Sequence, residues 1–355
     1  MVAAPSFPIF DGHNDVLLRL RDGGRSFLVR GEDGHIDLPR AREGGLAGGF
    51  CAVFARGDSS VERALVGSPP ATAPLPELAE LPAGPDRSRA LEVTLEAMAR
   101  LFRLEREAPD QVKVVRTAAE IEACLTNGVF AALLHIEGAE AIDPEFNALD
   151  VFYRAGLRSL GPVWSRRNIF GEGVPFGFGH DPDTGPGLTP LGRELVRACN
   201  RLRIVVDLSH LNARGFWDVT EITNAPLVAT HSNAWSLTPA TRNLTDRQID
   251  AIAGSGGMIG VNFATAFVRE DGRPDTTTSL DAICRHIDYL VERAGIDHVG
   301  FGSDFDGALI PCDLGDASGL PRLISRLRRR GYDDDALLKL THRNWIRVLG
   351  RTWGA

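Results

Sequence analysis

The chain has 355 residues, of which 43% are hydrophobic and 24% charged, and its formal net charge is −8. This apolar content suffices for one large core. The acidic balance and the lack of a dense Lys/Arg block argue against nucleic acid and anionic membranes as partners. No apolar run reaches the roughly 18 residues of a membrane span, and the first residues lack a signal-peptide pattern. Five cysteines without CxxC spacing argue against a disulfide scaffold or a thiolate zinc site. We therefore expect a cytoplasmic, globular protein.

Short apolar runs recur along the chain, separated by amphipathic stretches, which is the pattern of repeated strand and helix pairs. Strands are predicted at 8–12, 49–54, 129–136, 157–163, 204–208, 227–230, 258–263 and 299–302. Helices are predicted at 91–107, 190–202, 213–221, 246–253, 280–294 and 320–330, with a closing helix at 333–349. Eight such units favour a single-domain (β/α)8 TIM barrel over residues 1–355, with a doubly wound sheet as the alternative.

Two stretches rich in Gly and Pro interrupt this rhythm, at 58–86 and 171–187. Both are too long for ordinary connections between barrel elements. We expect them to form long loops over the carboxyl ends of the strands.

The first predicted strand ends in the motif Asp11-Gly12-His13-Asn14-Asp15. His13 and Asp15 are two residues apart, so on an extended backbone their side chains point to one face and can bind the same cation. An HxD pair alone is common, and an ordinary turn explains it as well.

Four more strands end in a residue of the same chemical kind. Glu137, His210, His231 and Asp304 each follow an apolar run. The carboxyl ends of barrel strands meet at one rim, where active sites are built, and a buried carboxylate there needs a cation or strong donors. Imidazole and carboxylate groups are ligands for divalent metals.

These residues together with His13 and Asp15 offer more ligands than one metal ion needs. Two metals about 3.5–4 Å apart can share Glu137 as a bridge. The sequence therefore predicts a binuclear site whose ligands are His13, Asp15, Glu137, His210 and His231.

The motifs together carry a family resemblance that covers nearly the whole chain. They are DGHND (11–15), IEGAE (136–140), DLSH (207–210), THSNAW (230–235), TRN (241–243) and FGSDFDG (301–307). In order and spacing they resemble the membrane (renal) dipeptidase family of zinc peptidases, within the amidohydrolase-like barrels. The resemblance implies two zinc ions per chain, one bound by His13 and Asp15 and the other by His210 and His231, with Glu137 bridging them.

The resemblance also implies roles for residues that bind substrate. Arg242 would hold the substrate's terminal carboxylate, for which its planar fork is suited; a surface arginine paired with Asp246 is the alternative. Asp304 would handle the proton that reaches the leaving amine. Trp164 stands where better-known members have a histidine that contacts the developing oxyanion, and an indole can donate one hydrogen bond but cannot become cationic.

The activity implied is hydrolysis of dipeptides, with L-Xaa-D-Xaa compounds as the first candidates, by attack of a hydroxide that bridges the metals. Homodimers are common in the family. Two alternatives stay open: the same site acting on another amide or ester, such as an N-acyl amino acid or a lactone, and a non-catalytic barrel that binds a carboxylate ligand or a protein. Deaminase-type barrels usually have HxH after the first strand, and this chain has HxD.

Overall fold

The computed structural model describes residues 7–22, 25–57, 78 and 84–354. The strands in these residues are β1 (Ile9–Asn14), β2 (Leu46–Phe54), β3 (Val112–Val115), β4 (Phe130–Glu137), β5 (Ser159–Gly161), β6 (Val205–Val206), β7 (Val228–Ala229), β8 (Met258–Val261) and β9 (Val299–Phe301).

The α-helices are α1 (Val16–Asp22), α2 (Leu38–Gly44), α3 (Arg87–Glu107), α4 (Ala118–Asn127), α5 (Asn147–Ala155), α6 (Pro190–Leu202), α7 (Ala213–Ile222), α8 (Asp246–Gly254), α9 (Thr265–Val268), α10 (Leu280–Ala294), α11 (Leu320–Arg329), α12 (Asp334–Leu338) and α13 (Asn344–Trp353). No helix in these described ranges is both long and apolar enough to cross a membrane.

All nine of these strands pair in parallel, and eight of them form the barrel. One sheet has the order β1-β2-β4-β5-β6 and the other has the order β7-β8-β9. Single parallel bridges join the two sheets, one between Asp207 and Val228 and one between Asn14 and Phe305. Each of the eight predicted strands overlaps an observed one, so the predicted (β/α)8 barrel is confirmed and the doubly wound alternative is wrong.

The strand β3 is an addition that the sequence pattern did not predict. It pairs with the amino-terminal half of β4, whereas β5 pairs with the carboxyl-terminal half of the same edge. It therefore lies outside the barrel circuit. The helices α1, α2, α4, α5 and α9, of four to ten residues, were also not predicted.

Inward-facing side chains fill the amino-terminal half of the barrel. This interior core contains Phe10, Phe50, Ala131, Leu133, Val205, Val228 and Met258. Trp345 of α13 belongs to the same core and donates a hydrogen bond from Nε1 to the carbonyl of Phe301 at 3.0 Å. Because alternate residues of a strand face the same side, the inward series on β4 continues from Leu133 through His135 to Glu137 at the carboxyl rim.

The loop at 171–187 lies beside that rim. Antiparallel bridges join Gly173 to Leu211 and Phe178 to Ala240. Most of the other predicted loop, 58–86, lies outside the described residues. The closing helix begins after Asp333, whose side chain accepts a hydrogen bond from the Ala336 amide. It continues through a π-helical turn, Lys339–Arg343, and ends at Trp353, four residues beyond the predicted end.

Candidate metal centre and active site

The five predicted metal ligands lie together and buried at the carboxyl rim of the barrel. Oε1 of Glu137 is 2.9 Å from Nε2 of His210, 3.5 Å from Nε2 of His231 and 3.6 Å from Nε2 of His13. A single carboxylate oxygen therefore faces three imidazole nitrogens. Oδ2 of Asp15 is 3.4 Å from the same Nε2 of His13.

Two groups of side chains in this cluster have ligand atoms close enough to share a cation. His13, Glu137 and His231 form one group, and His13, Asp15 and Asp304 form the other; within each group the ligand atoms lie within 4.8 Å of one another. The two groups have His13 in common.

An irregularity in β1 brings His13 into the barrel. Phe10 and Gly12 both contact the interior core, so regular alternation would direct the next residue outward. The register with β2 shifts between Asp11 and Asn14, and irregularities of this kind redirect side chains. As a result the His13 ring centroid lies 3.8 Å from that of His231.

Asp11 is not one of the rim ligands, although it belongs to the same motif. Its carboxylate accepts hydrogen bonds from the amide and the hydroxyl of Ser303, both at 2.7 Å. Burial raises its pKa to about 6. Asp11 therefore connects β1 to the segment that follows β9.

The electrostatics of the cluster fit a divalent cation. Burial, reinforced by Arg242, lowers the pKa of His210 well below its ordinary value, and burial reinforced by His13 does the same to the pKa of His231. Both rings are therefore neutral, which is the form that binds a metal. Burial raises the pKa of Glu137 to about 8.

The pKa of His13 shows most clearly that the carboxylates of this cluster favour a positive charge beside them. Burial alone would lower its pKa, but Glu137 and Asp15 outweigh burial and raise the pKa to about 10. Both ring nitrogens are buried without a hydrogen-bond partner among the described residues. Neutral imidazole and carboxylate donors of this kind suit zinc, manganese or cobalt.

A third group, His13, His135 and Asp207, also has ligand atoms within 4.8 Å of one another, but its carboxylate is already in use. Asp207 accepts hydrogen bonds from the amides of Ser209 and Thr230 and from the hydroxyl of Thr230. We therefore do not assign a metal to this third group, which lies below the rim and is held by these hydrogen bonds.

Arg242 is buried beside the predicted ligands. Its guanidinium donates to the carbonyl of Ser209, approaches Nε2 of His210 at 3.2 Å and lies 5.6 Å from the ring centroid of Phe267. Burial lowers its pKa to about 10, with Asp304 and Glu137 opposing the shift. The alternative of a surface arginine paired with Asp246 is wrong.

Asp304 lies in the turn after β9 with a φ of 59°. Burial raises its pKa, and its Oδ2 accepts a hydrogen bond from Nδ2 of Asn262 at 2.9 Å. The orientation of that amide is fixed, because Oδ1 of Asn262 accepts from the Ala264 amide at 2.7 Å. Asn262 was not predicted; the only signal was its place just after the strand β8.

Trp164 is buried next to the cluster. Its ring centroid is 5.7 Å from that of His210, 4.9 Å from that of Phe54 and 5.5 Å from that of Phe176. Arg166, two residues further along the same loop, is buried and donates to Glu140 at 3.0 Å.

A parallel barrel with histidine and carboxylate side chains gathered at its carboxyl rim defines a metal-dependent hydrolase of the amidohydrolase-like class. The family model described as membrane dipeptidase (peptidase family M19) matches residues 3–353. The chain therefore belongs to the membrane dipeptidase family, and it is a metal-dependent dipeptidase. The resemblance found in the sequence motifs is confirmed.

Known proteins of similar sequence and structure agree with this assignment. A metallo peptidase from Rhodobacter sphaeroides, solved with a phosphinate mimic of the dipeptide L-Ala-D-Ala, is 49% identical with a TM-score of 0.91, covering 98% of this chain and 100% of that chain. The structure described as dipeptidase AC, a metallo peptidase of family M19, is 50% identical with a TM-score of 0.91, covering 99% and 100%. A protein in the pqqA 5′ region of Klebsiella pneumoniae, described as uncharacterized, is 49% identical over 263 residues, which are 74% of this chain and 97% of that protein.

Proposed function

We propose that this dipeptidase holds two zinc ions per chain and hydrolyses L-Xaa-D-Xaa dipeptides. The observation that carries the two-metal proposal is the position of Oε1 of Glu137 within 3.6 Å of three imidazole nitrogens, with Oδ2 of Asp15 3.4 Å from Nε2 of His13. As the family resemblance implies, one metal would be held by His13 and Asp15 and the other by His210 and His231, with Glu137 available to both. Bound divalent cations supply Lewis acidity, which polarises the scissile carbonyl and makes water a stronger acid.

The chain's own residues bind the substrate and handle the protons. Arg242 binds the terminal carboxylate with its planar fork, and its burial strengthens that interaction. Asp304 takes up a proton and passes it to the departing amine; its raised pKa favours the protonated form that can do so. Asn262 holds one carboxylate oxygen of Asp304 and leaves the other for the proton.

We infer a preference for small substrate side chains from the residues near Arg242. Trp164, Phe176 and Phe267 pack with the small residues Ala240, Ala264 and Ala266 in one buried cluster. The Rhodobacter sphaeroides protein was solved with a mimic of L-Ala-D-Ala, whose two side chains are methyl groups. We therefore take L-Ala-D-Ala as the first substrate to test.

A second candidate is hydrolysis of another amide or ester at the same site, which Trp164 in place of the family histidine favours. A panel of L-Ala-D-Ala, L-Ala-L-Ala, N-acetyl-D-Ala and a lactone separates the two candidates. We expect the highest kcat/KM with L-Ala-D-Ala, lost with a chelator and restored by zinc. Turnover of only the acyl amino acid or the lactone would favour the second candidate, and no turnover by metal-loaded protein would favour a non-catalytic barrel.

Three further properties remain predictions. We expect a cytoplasmic location, since all five cysteines are free thiols and four of them are buried. The net charge of −8 disfavours nucleic acid and anionic membranes as partners. Membership of the family makes a homodimer the expected assembly.

A further inference from the structure

We propose that Asp207 is a positioning residue that acts through Thr230 to keep the proton of His231 on Nδ1, so that Nε2 faces the metal site. This inference rests on the metal ligands assigned in the proposed function. Neither Asp207 nor Thr230 belongs to the predicted ligand set.

The three side chains form a continuous line of hydrogen bonds below the rim. The hydroxyl of Thr230 donates to Oδ2 of Asp207 at 2.6 Å and lies 2.8 Å from Nδ1 of His231. The amides of Ser209 and Thr230 donate to Oδ1 of Asp207 at 3.1 and 2.9 Å. All three side chains belong to residues that are 3% exposed or less, so bulk water does not replace these partners.

The number of hydrogens in this line fixes its direction. A carboxylate only accepts, and a hydroxyl has one hydrogen to give. Thr230 gives that hydrogen to Asp207, so towards His231 it can only accept. Nδ1 of His231 must therefore be the protonated nitrogen, and a neutral imidazole then has its lone pair on Nε2. That Nε2 lies 3.5 Å from Oε1 of Glu137.

The substitution Asp207→Asn tests the direction of the line. The two backbone amides require an acceptor at the Oδ1 position, so the new amide nitrogen would occupy the Oδ2 position and donate to Thr230. Thr230 would then donate to Nδ1 of His231, and the imidazole proton would move to Nε2. Asparagine has the shape of aspartate, so the substitution changes only the direction of the hydrogen bonds. It places the proton of His231 on Nε2, the nitrogen that would bind the metal.

Thr230→Val and Thr230→Ser complete the set of variants. Valine has the shape of threonine without the hydroxyl and breaks the line, whereas serine keeps the hydroxyl and is the matched control. Hydrogen-bond partners of metal ligands typically contribute about 10- to 100-fold to metal affinity. We expect zinc affinity, measured by competition with a chelator, to fall by about that factor in Asp207→Asn and Thr230→Val and to remain near wild type in Thr230→Ser. The cobalt absorption spectrum should change in the same two variants.

The protonated nitrogen of His231 can also be identified directly in the wild-type protein, so that this test does not depend on the folding of a variant. In metal-free protein labelled with ¹⁵N histidine, the nitrogen shifts of His231 should show Nδ1 protonated. Protonation of Nε2, or wild-type zinc affinity in a folded Asp207→Asn or Thr230→Val protein, would overturn the inference. Wild-type protein that binds no zinc would instead contradict the proposed function.

Discussion

At the scale of single residues, burial gives the site its chemistry. Glu137, Asp304 and Arg242 all lie at the rim with little contact with solvent, and burial alone shifts the pKa of each towards its neutral form. Nearby opposite charges oppose these shifts: His13 lowers the pKa of both carboxyls, and Asp304 and Glu137 raise the pKa of Arg242. The consequence is that single substitutions at this rim should separate binding of substrate, transfer of protons and binding of metal.

Arg242→Lys should weaken substrate binding more than it slows chemistry. Lysine keeps the positive charge but loses the two parallel donors that fit a carboxylate. Hydrogen bonds to charged groups contribute about 1.5–3 kcal/mol, so we expect KM for L-Ala-D-Ala to rise about 10- to 100-fold. The wild type should strongly prefer this substrate over its C-terminal amide. A variant that keeps the full preference for the free acid would show that Arg242 does not bind the carboxylate.

Asp304→Asn should lower kcat while the metals stay bound. General acid or base catalysis by a positioned side chain contributes about 10²- to 10⁴-fold, and an amide cannot carry the proton. Steady-state kinetics and elemental analysis of the same preparation check both parts. Loss of metal together with activity would make Asp304 a ligand beside His13 and Asp15, a role its position also allows.

At the scale of elements, the closing helix α13 determines how the strands pack at the bottom of the barrel. Trp345 fills the space between β1, β8 and β9, and glycine on each of these strands leaves room for the indole ring. A Cβ at Gly12 would lie 2.3 Å from that ring and 2.5 Å from the carbonyl oxygen of Thr230. The close approach of Gly12 to the carbonyl of Thr230 brings the carboxyl ends of β1 and β7 together, and His13 and His231 are the next residues in the chain.

Gly12→Ala should therefore destabilise the fold by about 1–3 kcal/mol or more, the usual cost of overpacking a core. Urea unfolding measures this cost. Gly254→Ala is the matched control, because Gly254 is exposed in α8 and has nothing within 4 Å of its Cβ position. That control should be neutral or slightly stabilising, since alanine favours helix. Equal unfolding free energies for the two variants would be inconsistent with a tightly filled barrel bottom.

At the scale of the whole molecule, buried neutral histidines link stability to pH. Burial lowers the pKa of His286 to about 3 and that of His135 to about 4, from an ordinary value of 6.5. At these two histidines the folded state therefore binds fewer protons than the unfolded state below about pH 6.5. The stabilisation from each histidine is fully present above pH 6.5 and is lost progressively as the pH falls towards the folded pKa.

His286→Asn tests this linkage away from the metal site. His286 accepts a hydrogen bond at Nδ1 from the Ala234 amide, and the asparagine oxygen can replace that acceptor. As the pH is lowered from 6.5 towards about 5, the unfolding free energy of the variant should fall less steeply than that of the wild type, by up to about 1.4 kcal/mol per pH unit. Parallel dependences in urea titrations would show that His286 does not titrate on unfolding.

Much of the fold could be predicted because the barrel strands are apolar runs and the rim residues end those runs. The strand β3 could not be predicted, since a mostly apolar run of only four residues between two helices does not distinguish a strand from a connecting segment. Asn262 was missed because an amide neither titrates nor is a typical metal ligand, and only the structure shows it donating to Asp304. The burial of Arg166 was missed because its partner Glu140 lies 26 residues away in the chain.

The central claim is that one chain binds two metal ions that share Glu137. The most direct test is elemental analysis of dialysed, active wild-type protein beside Glu137→Gln, with zinc counted per chain. We predict about two zinc ions per wild-type chain and loss of both metal and turnover in the variant, since its amide cannot replace the shared carboxylate charge. An active wild-type enzyme with a single bound metal, or a variant with unchanged metal content, would contradict the two-metal site.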